Sequence, residues 1–197
     1  MNKASLMVLA AVVGLAGCGD RQAANQAEND LAPGNAGATA KPAAVNDTSA
    51  MPAGATATLQ TAQGAPAGTA RAVPMDGALR ISLALEGLPP GEHGVHVHMT
   101  GRCDAPDFES AGSHWNPTDS KHGLENPQGQ HAGDMPNLMI DQNGRGTLDY
   151  TLKVGNLAGL LDTDGAAIVV HATTDDQKTD PSGNSGGRIA CGVFTAV

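Results

Sequence analysis

The stretch "ALRISLALE", residues 78–86, alternates apolar and polar side chains without interruption. Because successive side chains of a β-strand point to opposite faces, its leucines and isoleucine would share one face and Arg80, Ser82 and Glu86 the other. This period of two predicts a half-buried strand that covers a core on one side only.

The same signal recurs along the chain. The run "NLMIDQNGRGTLDYTLK", residues 137–153, places a polar, glycine-containing turn between two apolar segments and predicts a β-hairpin. Further strand candidates are "ATATLQT" (55–61), "EHGVHVHM" (92–99), "AAIVVHA" (166–172) and "RIACGVF" (188–194). About seven or eight short strands predict an all-β sandwich or barrel closed by Greek-key connections.

Composition supports this class and excludes others. The 197 residues allow one ordinary domain plus additional segments. With 26 glycines, 12 prolines and 2% aromatic residues, many turns and a core of small residues are favoured over a helical bundle. The net charge of −9 argues against nucleic acid as a partner, since such binding needs a basic face.

The N-terminus carries an export signal. Residues 1–17 contain one cation and an apolar run that is too short to span a bilayer, which is typical of a signal peptide. The ending "LAGC" resembles the lipobox of bacterial lipoproteins, which implies that Cys18 is lipidated and anchors the chain to a membrane. The alternative is an ordinary cleaved secretory signal.

The lipoprotein interpretation places the chain in the bacterial cell envelope, with its domain in the periplasm. Gly19, rather than an aspartate, follows the cysteine and favours the outer membrane over the inner one. If lipid occupies Cys18, Cys103 and Cys191 remain to pair as a disulfide in this oxidising compartment.

Domain organisation follows from the change in pattern. Residues 19–53 are rich in alanine, asparagine, glycine and proline and show neither helical nor strand periodicity. We therefore predict a signal peptide at 1–17, a lipidated cysteine with a flexible linker at 18–54, and a single folded domain at 55–197.

Two stretches without strand character contain or border four of the seven histidines, which are His114, His122, His131 and His171. Residues 100–136 and 172–187 are rich in glycine, proline, aspartate and asparagine, and long loops in a compact domain are usually functional. His96 and His98 would share one face of their strand, whereas the opposite parity of His93 favours packing.

The loop histidines have the composition of a metal site. His114, His122 and His131 recur at spacings of eight and nine, and Asp134 follows them. Three imidazoles and a carboxylate form a closed tetrahedral zinc set of the structural kind. His96 and His98, joined by His171 at the end of "AIVVHA", would form a second, nitrogen-rich site that suits copper.

Six motifs carry a family resemblance. In order along the chain, "HGVHVH", "AGSHWNP", "KHG", "HAGDMPNL", "VVHATTDD" and "GNSGGRIACGVF" resemble the copper,zinc superoxide dismutases over about residues 55–197. The resemblance implies a flattened, eight-stranded Greek-key β-barrel with two metals on its outer surface between two long loops. It also implies copper ligands His96, His98, His114 and His171, and zinc ligands His114, His122, His131 and Asp134.

The same resemblance implies roles for neighbouring residues. His114 would bridge the two metals as an imidazolate, and Asp175 would hydrogen-bond the free nitrogens of one copper ligand and one zinc ligand. Arg188 would dock the substrate beside copper, in a loop anchored by a Cys103–Cys191 disulfide. Asp176 is predicted to be merely solvated, and Trp115 to pack within its loop.

The implied activity is the dismutation of superoxide to oxygen and hydrogen peroxide. In it, His114 would release copper when the metal is reduced and would carry a proton. Lys121 and Lys178 are the local candidates for steering the anion. The extra segment "DAPDFES" after Cys103 alters a region that the eukaryotic enzymes use to dimerise, so a homodimer is left open.

Two other functions compete with this one. A non-catalytic copper- and zinc-binding lipoprotein would keep the ligands but has no need of Arg188. A zinc hydrolase would need an open zinc position and a general base, whereas the predicted zinc set is closed.

Overall fold

The computed structural model describes residues 54–197. This part of the chain contains ten short strands and two single helical turns. The predicted signal peptide and Cys18 lie outside these residues. The helical turns are a 3-10 turn at Glu109–Ala111 and helix α1 at Leu157–Leu160. The strands are β1 Ala55–Thr61, β2 Pro66–Met75, β3 Ala78–Leu85, β4 Gly91–His93, β5 Val95–His98, β6 Leu138–Ile140, β7 Gly146–Leu152, β8 Ala167–His171, β9 Arg188–Val193 and β10 Thr195–Ala196.

The strands form a curled antiparallel sheet. Seven of them pair in the order β5-β8-β9-β1-β2-β3-β7, with β10 added beside β1, while β4 pairs with β6 in a ribbon. Only Gly94 separates β4 from β5, and the turn 141–145 joins β6 to β7. The ribbon therefore connects the two ends of the sheet. Counting β4 and β5 as one interrupted strand and leaving out β10, this is the predicted eight-stranded Greek-key barrel, and the all-β fold class is confirmed.

The alternating strand behaves as its pattern predicts. Leu79, Ile81, Leu83 and Leu85 are each no more than 4% exposed and belong to the main core. On the opposite face, Arg80 and Ser82 hydrogen-bond to Asp149 on β7. The other predicted strands are also present. The predicted hairpin is wrong in its pairing: the turn 141–145 joins β6 to β7, but β6 pairs with β4 and β7 pairs with β3.

One strand escaped prediction. β2 carries alanines at its buried positions 67, 70 and 72, and prolines at 66 and 74. Alanine has little preference for strands and proline is depleted in them, so the segment shows neither an apolar alternation nor a strand composition. Pairing with β1 and β3 on both sides, rather than local preference, makes it a strand.

β5 holds two segments of the first long loop against the barrel. One edge of β5 pairs with β8, and in this pair His96 lies directly opposite Val169. Along the other edge, Val97 N–H donates to the Gly133 carbonyl (2.9 Å), and the Val97 carbonyl accepts from Trp115 N–H (2.8 Å). The loop segments that carry His114 and Asp134 are thereby fixed beside the strand that carries His96 and His98.

The predicted disulfide is present between Cys103 and Cys191, whose Cα atoms are 5.7 Å apart. It ties the start of the first long loop to β9. The disulfide belongs to a small cluster of buried side chains, whose members are Phe108, Ala111, Ala167, Val169 and Cys191.

Among residues 54–197, no helix combines the length and the apolar character that crossing a bilayer requires.

The contact between Gly133 and β5 generates a prediction. A Cβ at position 133 would lie 2.2 Å from the Val97 carbonyl oxygen, so Gly133→Ala must push the loop off the strand. We expect it to lower the free energy of unfolding of the metal-free domain by about 1–3 kcal/mol, measured by urea denaturation. Gly187→Ala is the matched control, because a Cβ there meets no atom within 4 Å. Equal stability of the two variants would contradict the prediction.

Candidate metal centre

Four buried histidines bring one ring nitrogen each to a common point. His96 and His98 come from β5, His171 ends β8 and His114 lies in the first long loop. The chosen nitrogens all lie within 4.8 Å of one another, and Nε2 of His98 is 3.4 Å from Nε2 of His171. The structure thus assembles the first predicted group.

Hydrogen bonds to the chain determine which nitrogen of each ring faces this point. His98 Nδ1–H donates to the Gly112 carbonyl (2.8 Å), and His171 Nδ1–H donates to the Gly186 carbonyl (3.2 Å). His96 Nε2–H donates to Asp175 Oδ2 (2.6 Å). Each bond fixes the tautomer and leaves a bare lone pair on the other nitrogen, which is the form that ligates a metal.

Two of the converging nitrogens have no hydrogen-bond partner. His96 Nδ1 and His114 Nε2 are both buried and unsatisfied within the chain. Burial lowers the pKa of His96 to about 3 and that of His171 to about 4, so both rings are neutral at neutral pH. Unsatisfied buried polar atoms are costly, and a metal ion among these lone pairs would satisfy them.

A second group surrounds the Asp134 carboxylate. Its Oδ1 lies 3.0 Å from Nδ1 of His114, 3.0 Å from Nδ1 of His122 and 3.3 Å from Nδ1 of His131. Four ligands at zinc–nitrogen bond length on a tetrahedron are about 3.3 Å apart, so these spacings suit that geometry. Oδ2 is turned away and accepts from the backbone N–H groups of Gly123 (2.8 Å) and His131 (3.0 Å).

A different choice of four is also close enough to hold an ion. His96, His114, His122 and Asp134 can each supply a ligand atom such that all lie within 4.8 Å. In that choice His96 replaces His131. The ring of His96 stacks on the ring of His114, with centroids 4.0 Å apart, so the two groups are in direct contact.

Asp175 joins the two groups from behind. Its carboxylate accepts from His96 Nε2 (2.6 Å) and from His122 Nε2 (3.0 Å), as predicted. Burial alone would raise the pKa of Asp175, but the hydrogen bonds from these two imidazoles hold it well below its ordinary value. Burial likewise lowers the pKa of His122, but Asp134 and Asp175 outweigh it and raise that pKa to about 9. A metal ion that binds His122 at neutral pH must therefore displace a proton.

Arg188 lies beside the first group. Its Nη1–H donates to the Phe108 carbonyl (2.6 Å) and its Nη2–H to the Gly112 carbonyl (2.8 Å). The Gly112 carbonyl also accepts from His98 Nδ1–H, so one oxygen orients both the arginine and a histidine of the first group. Partial burial lowers the pKa of Arg188, which still remains a cation.

Sequence reasoning missed one residue that organises the site. Asn137 clamps the backbone of Asp175, since its Oδ1 accepts from Asp175 N–H (2.8 Å) and its Nδ2 donates to the Asp175 carbonyl (2.9 Å). The amide thus ties the second long loop to the segment just after Asp134. Asn137 lies in the motif "HAGDMPNL", but nothing in the local pattern indicates which distant backbone it binds.

The prediction that Asp176 is merely solvated is wrong. Its side chain is exposed, but Oδ1 accepts from the backbone N–H groups of Lys178 (2.9 Å) and Thr179 (2.8 Å), and Oδ2 accepts from Asn184 (2.8 Å). These bonds, led by those of Thr179, lower its pKa to about 2. Asp176 therefore shapes the loop that follows Asp175.

Four other predicted residues are placed as follows. Lys121 and Lys178 form ion pairs with Asp180 (3.2 Å) and Glu125 (2.7 Å), so neither is an isolated cation. Trp115 packs as predicted, with Gly155 and Gly159 leaving room for its ring. His93 is buried outside both groups, where its ring nitrogens lie 2.8 Å and 3.0 Å from the carbonyl oxygens of His171 and Pro89.

Comparison with known proteins agrees with this geometry. Residues 66–194 match the family model described as copper/zinc superoxide dismutase. Superoxide dismutase [Cu-Zn] 1 of Aquifex aeolicus is 46% identical over 132 residues, which cover 64% of this chain and 78% of the relative. The Cu-Zn superoxide dismutase of Caulobacter vibrioides is 40% identical over 147 residues, or 71% and 84% of the two chains.

Solved structures show the same likeness. The crystal structure of a SOD-like protein from Bacillus subtilis gives a TM-score of 0.65 at 39% identity, covering 71% of this chain and 97% of that one. Cu/Zn superoxide dismutase from Brucella abortus gives a TM-score of 0.59 at 28% identity, covering 71% and 98%.

The clamp by Asn137 generates a prediction. Asn137→Ala removes both hydrogen bonds to the Asp175 backbone, so the carboxylate should no longer be held against His96 and His122. We expect zinc affinity to fall about 10- to 100-fold, the usual effect of losing a residue that orients metal ligands, measured by chelator competition. Asn143→Ala, in the exposed 141–145 turn, is the control and should bind zinc as the unaltered protein does. Unchanged affinity in Asn137→Ala would contradict the assigned role.

Proposed function

The chain belongs to the copper/zinc superoxide dismutase family, and we propose from this premise that the imidazole of His114 joins its copper and zinc sites. The protein is a superoxide dismutase, an oxidoreductase that uses copper and zinc and acts on superoxide.

We assign copper to His96, His98, His114 and His171, and zinc to His114, His122, His131 and Asp134. The observation that carries the assignment is the position of His114, whose Nδ1 belongs to the group around Asp134 while its buried Nε2 has no partner. His131 is preferred to His96 for zinc, because His131 Nδ1 lies within 3.4 Å of both Asp134 Oδ1 and His114 Nδ1. The lone pair of His96 is then free for copper.

Bound copper supplies the one-electron couple by which one superoxide is oxidised to oxygen and a second, with two protons, is reduced to hydrogen peroxide. The chain supplies the anion site. Arg188 uses two of its five N–H donors on the Phe108 and Gly112 carbonyls and retains others for the substrate. A cation held rigidly beside the redox site binds the anion without reorganisation at the moment of reaction.

The chain also supplies a proton position. His114 Nε2 faces the copper group and has no other partner, so it is the atom at which a proton would be held for the reduced oxygen. The ring keeps its orientation through Nδ1, next to Asp134 Oδ1. Asp134 has its pKa held far below the ordinary value by the hydrogen bonds from His114, His122 and His131, which outweigh burial, so it stays a carboxylate throughout.

Attraction of the substrate is local in this proposal. A chain of net charge −9 repels an anion at long range, and Lys121 and Lys178 are each neutralised by a carboxylate. Docking therefore rests on Arg188, with steering by the two lysines as a minor contribution.

Two variants test these roles. His171→Ala should lose copper and with it all dismutation, because the copper site keeps only three imidazoles. Arg188→Ala should keep copper and zinc while the dismutation rate falls by roughly tenfold or more, the size of a lost charge-assisted hydrogen bond. Metal content is measured by elemental analysis and the rate by pulse radiolysis.

Arg80→Ala serves as the control for the loss of a positive charge, since Arg80 lies on the outer sheet face and pairs with Asp149. Unaltered protein that binds both metals fully but does not dismutate superoxide would contradict the account and favour a non-catalytic metal-binding lipoprotein.

We further propose that the protein is a lipoprotein of the bacterial envelope, anchored through Cys18 to the outer membrane with the domain in the periplasm. The lipobox-like ending "LAGC" and the linker composition of residues 19–53 support this. In a bacterial host, Cys18→Ser should move the protein from the membrane fraction to the soluble fraction without loss of activity. Retention in the membrane would contradict the anchor. The soluble variant also tests homodimerisation by analytical ultracentrifugation.

A further inference from the structure

We infer that Phe108 is a positioning residue for Arg188, and that its buried ring holds in place the loop carbonyls that orient the guanidinium. The inference rests on the proposed docking role of Arg188. Phe108 lies in the segment "DAPDFES", and it is one of only two phenylalanines in the chain.

The backbone of Phe108 adopts a conformation that a bulky side chain rarely takes. Its φ of 56° and ψ of 23° place it in the left-handed region, immediately before the 3-10 turn at Glu109–Ala111. The Cβ of a non-glycine residue crowds the backbone in this region, so such a conformation persists only where surrounding contacts over-determine it.

Those contacts act on two sides of the residue. The ring is 3% exposed and packs in the cluster of Ala167 and Val169 on β8 and Cys191 on β9. The carbonyl accepts from Arg188 Nη1–H (2.6 Å) and also from Ala111 N–H (3.1 Å). One residue thus connects the surface of the barrel to the guanidinium.

Both acceptors of Arg188 belong to the same short segment. Phe108 and Gly112 lie four positions apart, and residues 104–107 and 109, around Phe108, are exposed. Within residues 101–113, Phe108 and Ala111 are the buried side chains. The disulfide secures the start of this loop at Cys103, whereas the aromatic ring secures it at the point where the arginine binds.

The test is the chemical reactivity of Arg188 itself. Phenylglyoxal modifies free guanidinium groups, and its rate at each arginine is followed by peptide mass spectrometry on the full chain, with and without metals. In Phe108→Ala the carbonyls lose their anchor, and modification of Arg188 should become about tenfold faster, as expected when charge-assisted hydrogen bonds are lost. In Phe108→Leu, which refills most of the pocket, the rate should return to within about twofold of the unaltered protein.

Two controls separate positioning from general destabilisation. Arg80 in the same samples is exposed and should react equally in all variants. Leu160→Ala removes a fully buried side chain of the main core, away from the disulfide cluster, and should leave Arg188 protected. Zinc content should be unchanged in Phe108→Ala, because none of the proposed zinc ligands bonds to the Phe108 or Gly112 carbonyl. Copper content is compared separately, since the Gly112 carbonyl also orients His98.

Unchanged protection of Arg188 in Phe108→Ala, or an equal loss of protection in Leu160→Ala, would overturn the inference. If Phe108→Ala does not fold, Phe108→Val and Phe108→Leu must show protection that rises with side-chain size, and a flat series overturns it as well. Protection is measurable whether or not the protein dismutates superoxide, so failure of the proposed function is distinguishable from failure of this inference.

Discussion

The structure depends on the requirement that a buried imidazole find partners for both of its nitrogens. Six histidines are packed so closely that the ring centroids of His96 and His114 are 4.0 Å apart, in a region almost without exposure. In each of His96, His98 and His171, one ring nitrogen donates a hydrogen bond to a backbone carbonyl or to Asp175. The other ring nitrogen keeps a bare lone pair. Lone pairs that converge in a buried space repel one another and lack solvation, so the arrangement makes sense only with cations between them.

The barrel meets this requirement by building both histidine groups around one strand, β5. β5 carries two of the proposed copper ligands, β8 beside it carries a third, and the loop segments bound to the other edge of β5 bring His114 and Asp134. Longer-range bonds then tie the loops to each other. Asn137 holds Asp175, Asp175 holds a ring from each metal group, and the Gly112 carbonyl holds both His98 and Arg188. The two histidine groups and Arg188 therefore belong to a single hydrogen-bonded network.

Much of this could be predicted because the signals are local. Alternation in residues 78–86 indicates a strand, parity separates His93 from His96 and His98, and the family motifs contain the residues that the structure brings together in the two groups. β2 could not be predicted in this way, because alanines at its buried positions carry little signal and its neighbours impose its conformation. The roles of Asn137, Asp176 and Phe108 were also hidden, since each acts through backbone groups. A sequence pattern does not reveal a carbonyl that is oriented by a left-handed φ or an amide that clamps a distant loop.

The shared imidazole of His114 is the central claim, and anomalous diffraction from crystals of the metal-loaded protein tests it most directly. Data collected at the copper and zinc absorption edges locate each metal independently of the chain. The account predicts copper within bonding distance of His114 Nε2 and zinc within bonding distance of His114 Nδ1, each at about 2.0–2.1 Å. A structure in which both sites are filled and the ring of His114 contacts only one metal would contradict it.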